Sequence, residues 1–223
     1  MATMPAASPT GQPDVALAWF GTGAGQILLQ SEADAAIGLL ERGRGLPWLW
    51  LGPRFPDSPQ RGIAGRGLRL VPSDSGWTGD ARCGLPLPLA SESVGVVVLQ
   101  HVLRRDGSDQ ALLDECTRVL VPGGRLGLFA LNPLAPYRWR WRGQGLRPAE
   151  PLGWRRRLRA VGLDPEPLSQ GIGPTWRESA DAGLQQGAGL RAAYLLRADK
   201  RVLPLTPLRR RRTAVVPGGV PAT

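Results

Sequence analysis

His101 is the only histidine of the chain. It follows Val94, Val96, Val97, Val98 and Leu99, a near-continuous apolar run that reads as a strand covered on both faces. An imidazole there could take a proton from a substrate nucleophile. Ligands of parallel α/β sheets gather at the carboxyl ends of strands, so Gln100 and His101 are candidates for substrate or cofactor contact. A purely structural role for the histidine stays open. Asp74 lies 22 residues past Gly52, near the spacing at which a carboxylate accepts both hydroxyls of a bound ribose. An aspartate among serine and glycine also suits a plain turn. Gly21, Gly23 and Gly25 stand between the apolar run DVALAWF and a helix. They could be the strand–loop–helix that brings backbone N–H groups against a nucleotide, or the start of an N-terminal helix. Cys83 and Cys116 make no disulfide framework, and Cys116 on an apolar helix face reads as a buried, inert thiol. No cluster of His, Cys and carboxylates suggests a metal.

The elements that must position these residues are clearest over 85–133. A Leu-Pro turn leads into the apolar run. Asp106 and Ser108 offer N-caps for a helix with Leu112, Leu113, Cys116, Val119 and Leu120 at helical spacing. Pro122, Gly123 and Gly124 stop that helix before a strand over 125–131. Such a unit implies parallel strands with a right-handed crossover. Asn132 and Pro133, ending the second strand, could border a substrate cavity. Upstream, Ile27, Leu29, Ala33, Ala36, Ile37 and Leu40 form a helical stripe ended by Gly43 and Gly45, with Glu32 and Glu41 on its solvated face. Residues 46–52 read as a first buried strand and 67–71 as a second. Pro151–Leu163 reads as a helix with Leu152, Leu158 and Val161 inward and Arg155–Arg157 in water. Residues 164–187 read as a long connection and 190–197 as the last strand.

The run over 85–133, including LLDECTRVLVPGGRLGLFALNP, resembles the second half of class I S-adenosylmethionine-dependent methyltransferases, in particular a type 11 branch and a little-characterised bacterial subgroup with an FNP-like ending. Trp19, Thr22, Gly25, Leu28 and Leu29 match that subgroup's N-terminal stretch. The resemblance implies an α/β, Rossmann-like fold, a mostly parallel sheet with helices on both faces. It implies S-adenosyl-L-methionine as cofactor, with Gly52, Asp74, Asp80, Ala81 and Gln100 as contacts and His101 as the catalytic residue. Asp80 and Ala81 resemble the D-A-x-x-LP element that meets the adenine, one residue out of register. Three departures are plain. After the first strand only Gly52 remains of the glycine loop, with no acidic residue before it. Gly95 replaces an acidic residue of the fourth strand, and Arg104 and Arg105 stand where an acidic residue is frequent.

The net charge is +10 over 223 residues, and all basic residues except Lys200 are arginine. Residues 136–159 carry eight arginines and three tryptophans. They could bind phosphates and stack bases, giving weak nucleic-acid binding, or divide into a surface insertion over 138–147 and the helix after it. Residues 1–13 read as disordered, 14–205 as one domain, and 206–223 as a disordered basic tail. No apolar stretch reaches the ~18–20 residues of a membrane span, and no leader pattern opens the chain, so a cytoplasmic location is expected. The reading is a methyltransferase acting on a small molecule. The alternatives are a degenerate scaffold of the same fold and an RNA-associated protein.

Overall fold

Alternate residues of the central strands face opposite ways, and both faces are apolar, so the sheet needs cover on both sides. The computed structural model describes residues 15–43, 45–53, 65–74, 76–103 and 108–201. In chain order these form α1 (Val15–Ala18), a 3-10 turn (Trp19–Gly21), α2 (Gly23–Glu41), β1 (Trp48–Leu51), β2 (Gly67–Ser73), β3 (Gly76–Gly79), β4 (Val94–Gln100), α3 (Ser108–Val119) and β5 (Leu120–Leu131). A second 3-10 turn (Pro136–Arg140), α4 (Pro151–Ala160), β6 (Leu163–Pro165), β7 (Gln170–Ile172), β8 (Gln185–Gln186) and β9 (Ala193–Lys200) follow.

The sheet runs β3-β2-β1-β4-β5-β9-β7-β8, with β6 also on β9. Its centre is parallel: β2 on β1, β1 on β4 and β4 on β5. Its flanks are antiparallel, through the β2–β3 hairpin and through β9. Leu49, Leu51, Val97 and Leu99 meet α3 and α4 through Leu113, Cys116, Trp154 and Leu158. Trp48, Trp50, Val96 and Val98 meet α2 through Leu28, Ala36 and Leu39. Full burial of a side chain such as Leu113 contributes about 1.5–3 kcal/mol. This is the Rossmann-like α/β fold expected from the sequence.

The strand–helix–strand unit over 85–133 forms, but α3 ends at Val119, before Pro122, β5 begins at Leu120 and not at 125, and Ser108 opens α3 and does not cap it. Leu120 pairs with Val94, Arg125 with Val96, and the Pro-Gly-Gly segment makes the excursion between them, with Gly123 at φ 75°. The Glu and Arg of the ECTR stretch turn out to be structural. Glu115 accepts from the Leu87 N–H at 2.8 Å, and Arg118 donates to the carbonyls of Leu87 and Leu89 at 3.1 and 2.9 Å. The two side chains also pair at 2.8 Å. Together they pin the Leu-Pro turn to α3. The Arg118 bond lowers the Glu115 carboxyl below its ordinary 4.5, burial opposing and the Leu87 N–H assisting. A depressed folded-state value stabilises above the unfolded value and is lost as pH falls through the depressed one. Denaturation from pH 5 to pH 3 should therefore show the native chain losing more stability than Glu115→Gln; equal losses would sink the assignment.

Several expectations are corrected. The run before Gly21 is helical, so no strand precedes those glycines. Gly23 and Gly25 lie in the first turn of α2, whose N-cap Thr22 accepts from the Gly25 N–H. The buried stripe of α2 is rotated from the expected one and holds Leu28, Glu32, Ala36 and Leu39, so Glu32 is not solvated. In α4 Trp154 is buried and Leu152 exposed, because the ring, and not the leucine, reaches the sheet. The 138–147 segment is only partly a surface insertion: Tyr137 and Trp141 pack with Trp19, while Trp139 projects outward. The expected connection over 164–187 contains β6, β7 and β8. Asp106, Arg104, Arg105 and the two expected disordered ends lie outside the described residues.

Candidate active site

The carboxyl ends of β1, β4 and β5 define one edge of the sheet. Register sets Leu51 beside Leu99 and Gln100 beside Phe129, so Gly52, Gln100 and His101 arrive together. His101 takes φ 54°, a left-handed backbone that non-glycine residues seldom adopt. Its N–H donates to the Phe129 carbonyl at 3.1 Å, and this bend aims the imidazole across the edge toward α2.

There it meets Glu32. The His101 Nε2 lies 2.9 and 3.0 Å from the two carboxylate oxygens, with both side chains almost wholly buried. Gln100 donates to the same carboxylate at 2.8 Å and accepts from the Trp50 indole N–H at 3.1 Å. Phe20, from the 3-10 turn before α2, stacks on the imidazole with centroids 4.8 Å apart. A carboxylate only accepts hydrogen bonds, so a neutral His101 must carry its proton on Nε2. Nδ1 is left as a lone pair, buried and without a partner among the described residues. His101 and Trp154 both line a cavity of about 40 Å³, walled further by Leu103, Leu128 and Leu131. The Trp154 Nε1 is likewise buried and without a partner among the described residues.

The remaining residues read from the sequence are placed differently. Gly52 directly follows β1, its N–H donating to the Leu70 carbonyl at 3.0 Å. Asp74 stands exposed at the tip of the β2–β3 hairpin. Asp80 and Ala81 lie back from the carboxyl edge, because β3 runs antiparallel and returns the chain beside Arg69. Asp80 binds the Arg69 backbone N–H at 2.9 Å and its guanidinium at 3.2 and 3.1 Å. Against the opposing effect of burial, those bonds hold its carboxyl below the ordinary range. Of the pair expected to border a cavity, Pro133 lines a groove of about 460 Å³, while Asn132 is buried. It donates to the carbonyls of Gly189 and Arg191, each at 2.9 Å, and accepts from the Leu134 N–H at 3.1 Å, tying β5 to the loop before β9. Cys116 is buried, and desolvation pushes its thiol far up; it is inert. Among the described residues no group of His, Cys and carboxylates could hold a metal, and no helix is long and apolar enough to cross a membrane. Glu32 is the residue that sequence reasoning missed. Its signal was its place four residues after Leu28 and four before Ala36.

A sheet of this order with helices on both faces is the scaffold of class I methyltransferases, and solved structures agree. The chain is similar to an S-adenosylmethionine-dependent methyltransferase from Thermotoga maritima (16% identity, TM-score 0.55, 82% of this chain and 94% of that one). It is also similar to a chain of the complex between the Haloferax volcanii Trm112 methyltransferase activator and a methyltransferase (16%, 0.58, 86% and 100%). A third is the Burkholderia thailandensis 1,6-didemethyltoxoflavin-N1-methyltransferase, solved with bound 1,6-didemethyltoxoflavin and S-adenosylhomocysteine (15%, 0.51, 89% and 94%). At such identities the likeness is one of fold. No protein-family profile and no curated protein matches the sequence.

Proposed function

We propose that the chain is a methyltransferase acting on a small molecule, with S-adenosyl-L-methionine as donor and His101 as proton acceptor. The carrying observation is the buried Glu32–His101 pair, which leaves Nδ1 as a lone pair beside a cavity at the carboxyl edge. Of the residues read as a cofactor cradle, Gly52 and Asp74 fit. Gly52 presents no side chain at the end of β1, and Asp74 has an exposed carboxylate past the end of β2. These two would hold the cofactor, which supplies an electrophilic methyl group when bound.

The protein's own work is on the acceptor. Nδ1 takes the proton from an O–H or N–H nucleophile. Glu32, holding Nε2–H, fixes the tautomer and stabilises the imidazolium that results. Gln100 and Trp50 keep the carboxylate in place, and Phe20 fixes the ring plane. The apolar walls limit water around the nucleophile. His101→Asn is the suitable variant because asparagine tolerates the left-handed backbone. Turnover should fall about 10²–10⁴-fold, with S-adenosylhomocysteine affinity unchanged. Undiminished turnover would remove His101 from the chemistry.

A second reading, a scaffold that has lost the donor site, is favoured by one observation. Asp80 is engaged by Arg69 and Gln100 by Glu32 and Trp50, so both are already held by protein partners. Thermal unfolding with S-adenosylhomocysteine decides between the two. At about 100 times its Kd a ligand stabilises the native state by about 2.7 kcal/mol. A shift of that order supports the enzyme, and no shift at millimolar ligand supports the scaffold.

A further inference from the structure

Two of the residues that line the cavity beside His101, His101 itself and Trp154, each carry a buried, unpartnered nitrogen, and the two are of complementary kind. With Glu32 holding Nε2–H, His101 Nδ1 accepts, while the Trp154 indole N–H can only donate. Each side chain is almost wholly buried, and neither nitrogen has a partner among the described residues. Such a buried group costs about 1–3 kcal/mol if left unmet, so both call for an occupant. One hydroxyl meets both needs: its oxygen accepts from Trp154 and its proton goes to Nδ1. At about 40 Å³ the chamber takes a hydroxyl-bearing end and little more.

The surroundings say what is attached to that hydroxyl. Arg147 also lines the chamber, is itself exposed, and makes no ion pair among the described residues. Two arginines nearby are engaged: Arg157 is held by Asp109 at 3.0 Å and lies over the Trp154 ring, and Arg140 pairs with Glu178. Ala149 and Trp154 are shared with an adjoining groove of about 460 Å³, where Glu150, Leu152 and Arg156 also face. A free guanidinium at a chamber otherwise walled by apolar side chains suits a carboxylate through paired N–H donors.

We propose that this edge of the sheet binds a small hydroxylated carboxylic acid, its hydroxyl between His101 Nδ1 and Trp154 Nε1 and its carboxylate on Arg147. This rests on the reading of His101 as facing the methyl acceptor, and it names that acceptor's class. A water molecule could satisfy the two nitrogens as well, so the carboxylate and Arg147 carry the distinction.

The test is binding, so it does not depend on methyl transfer. 4-Hydroxybenzoate, phenol and benzoate are titrated against the full chain, with and without S-adenosylhomocysteine. Calorimetry gives affinity, and the ¹⁵N-labelled indole N–H resonances report on Trp154. The hydroxy acid should bind about tenfold or more tightly than either probe lacking one group, and the Trp154 resonance should move with it and with phenol. Arg147→Gln, a surface change, should erase its advantage over phenol and leave its advantage over benzoate. Trp154→Phe, which keeps the buried ring, should weaken both hydroxyl-bearing probes. Equal affinity for the three probes, an unchanged ratio in Arg147→Gln, or no binding at millimolar concentration under both conditions would overturn the proposal. Binding of the hydroxy acid without any of S-adenosylhomocysteine would leave it standing and remove the methyltransferase reading alone.

Discussion

Glu32→Ala lowers the unfolding free energy by about 3 kcal/mol and releases His101 from a single tautomer. The magnitude follows from what the carboxylate serves. It accepts from His101 at 2.9 Å and from Gln100 at 2.8 Å, and Glu32 is fully buried. Truncation leaves two buried donors without an acceptor, each costing about 1–3 kcal/mol. Glu32→Gln separates charge from shape. Its single carbonyl oxygen can serve one of the two donors well, and its NH₂ group must face the other, so a loss of about 1–2 kcal/mol is expected. Urea unfolding measures both variants, and ¹⁵N spectra of the imidazole measure the tautomer. In the native chain at a pH where His101 is neutral, the proton should sit on Nε2. In Glu32→Ala the two tautomers should mix. A variant within 0.5 kcal/mol of the native chain and with the same tautomer would show the pair to be incidental.

The legible part of this molecule is the part built from repeating patterns. The β4–α3–β5 unit could be read because both its strands are buried on two faces, giving continuous apolar runs, although the Pro-Gly-Gly segment read as a turn is an irregularity inside β5. The site was harder to read for a physical reason. Helical periodicity identifies a stripe by its apolar members, and a buried acid is scored against the stripe to which it belongs. Glu32 sits between Leu28 and Ala36 on the face that contacts β4, and its bonds from Gln100 and His101, 68 and 69 residues away, make that burial tolerable. The same limit applies to Asp80. Its neighbours resemble a cofactor element, but its position depends on whether β3 runs parallel or antiparallel, and that is settled by the tight hairpin after Ser73. Glu115 and Arg118 carry the reverse lesson. They belong to the most recognisable stretch of the chain, and their work is to hold the Leu-Pro turn.

Gly25→Ala should cost about 2–4 kcal/mol and loosen His101, while Gly23→Ala should be neutral or slightly stabilising. A Cβ on Gly25 would lie 2.4 Å from the Trp19 carbonyl oxygen and 2.6 Å from the Phe20 Cα. Both are backbone atoms, so no side-chain rotation relieves the clash and the whole 3-10 turn must shift; overpacking of a filled core costs about 1–3 kcal/mol even where side chains can adjust. That turn carries Phe20, whose ring stacks on His101, and Trp19, whose indole N–H donates to the Arg140 carbonyl at 2.9 Å. A displacement at Gly25 therefore reaches the proton-accepting imidazole and the arginine-rich segment together. A Cβ on Gly23 meets nothing within 4 Å, and alanine in a helix is favoured over glycine by about 0.5–1 kcal/mol. The pair of variants separates two meanings of one glycine-spaced motif. Glycines that bring backbone against a nucleotide would make both substitutions harmful to ligand binding and neither harmful to the fold. Glycines that let one turn pack against the next make Gly25 alone indispensable, visible as a lower urea midpoint and an altered His101 resonance in Gly25→Ala only. Equal behaviour of the two variants would sink the packing account.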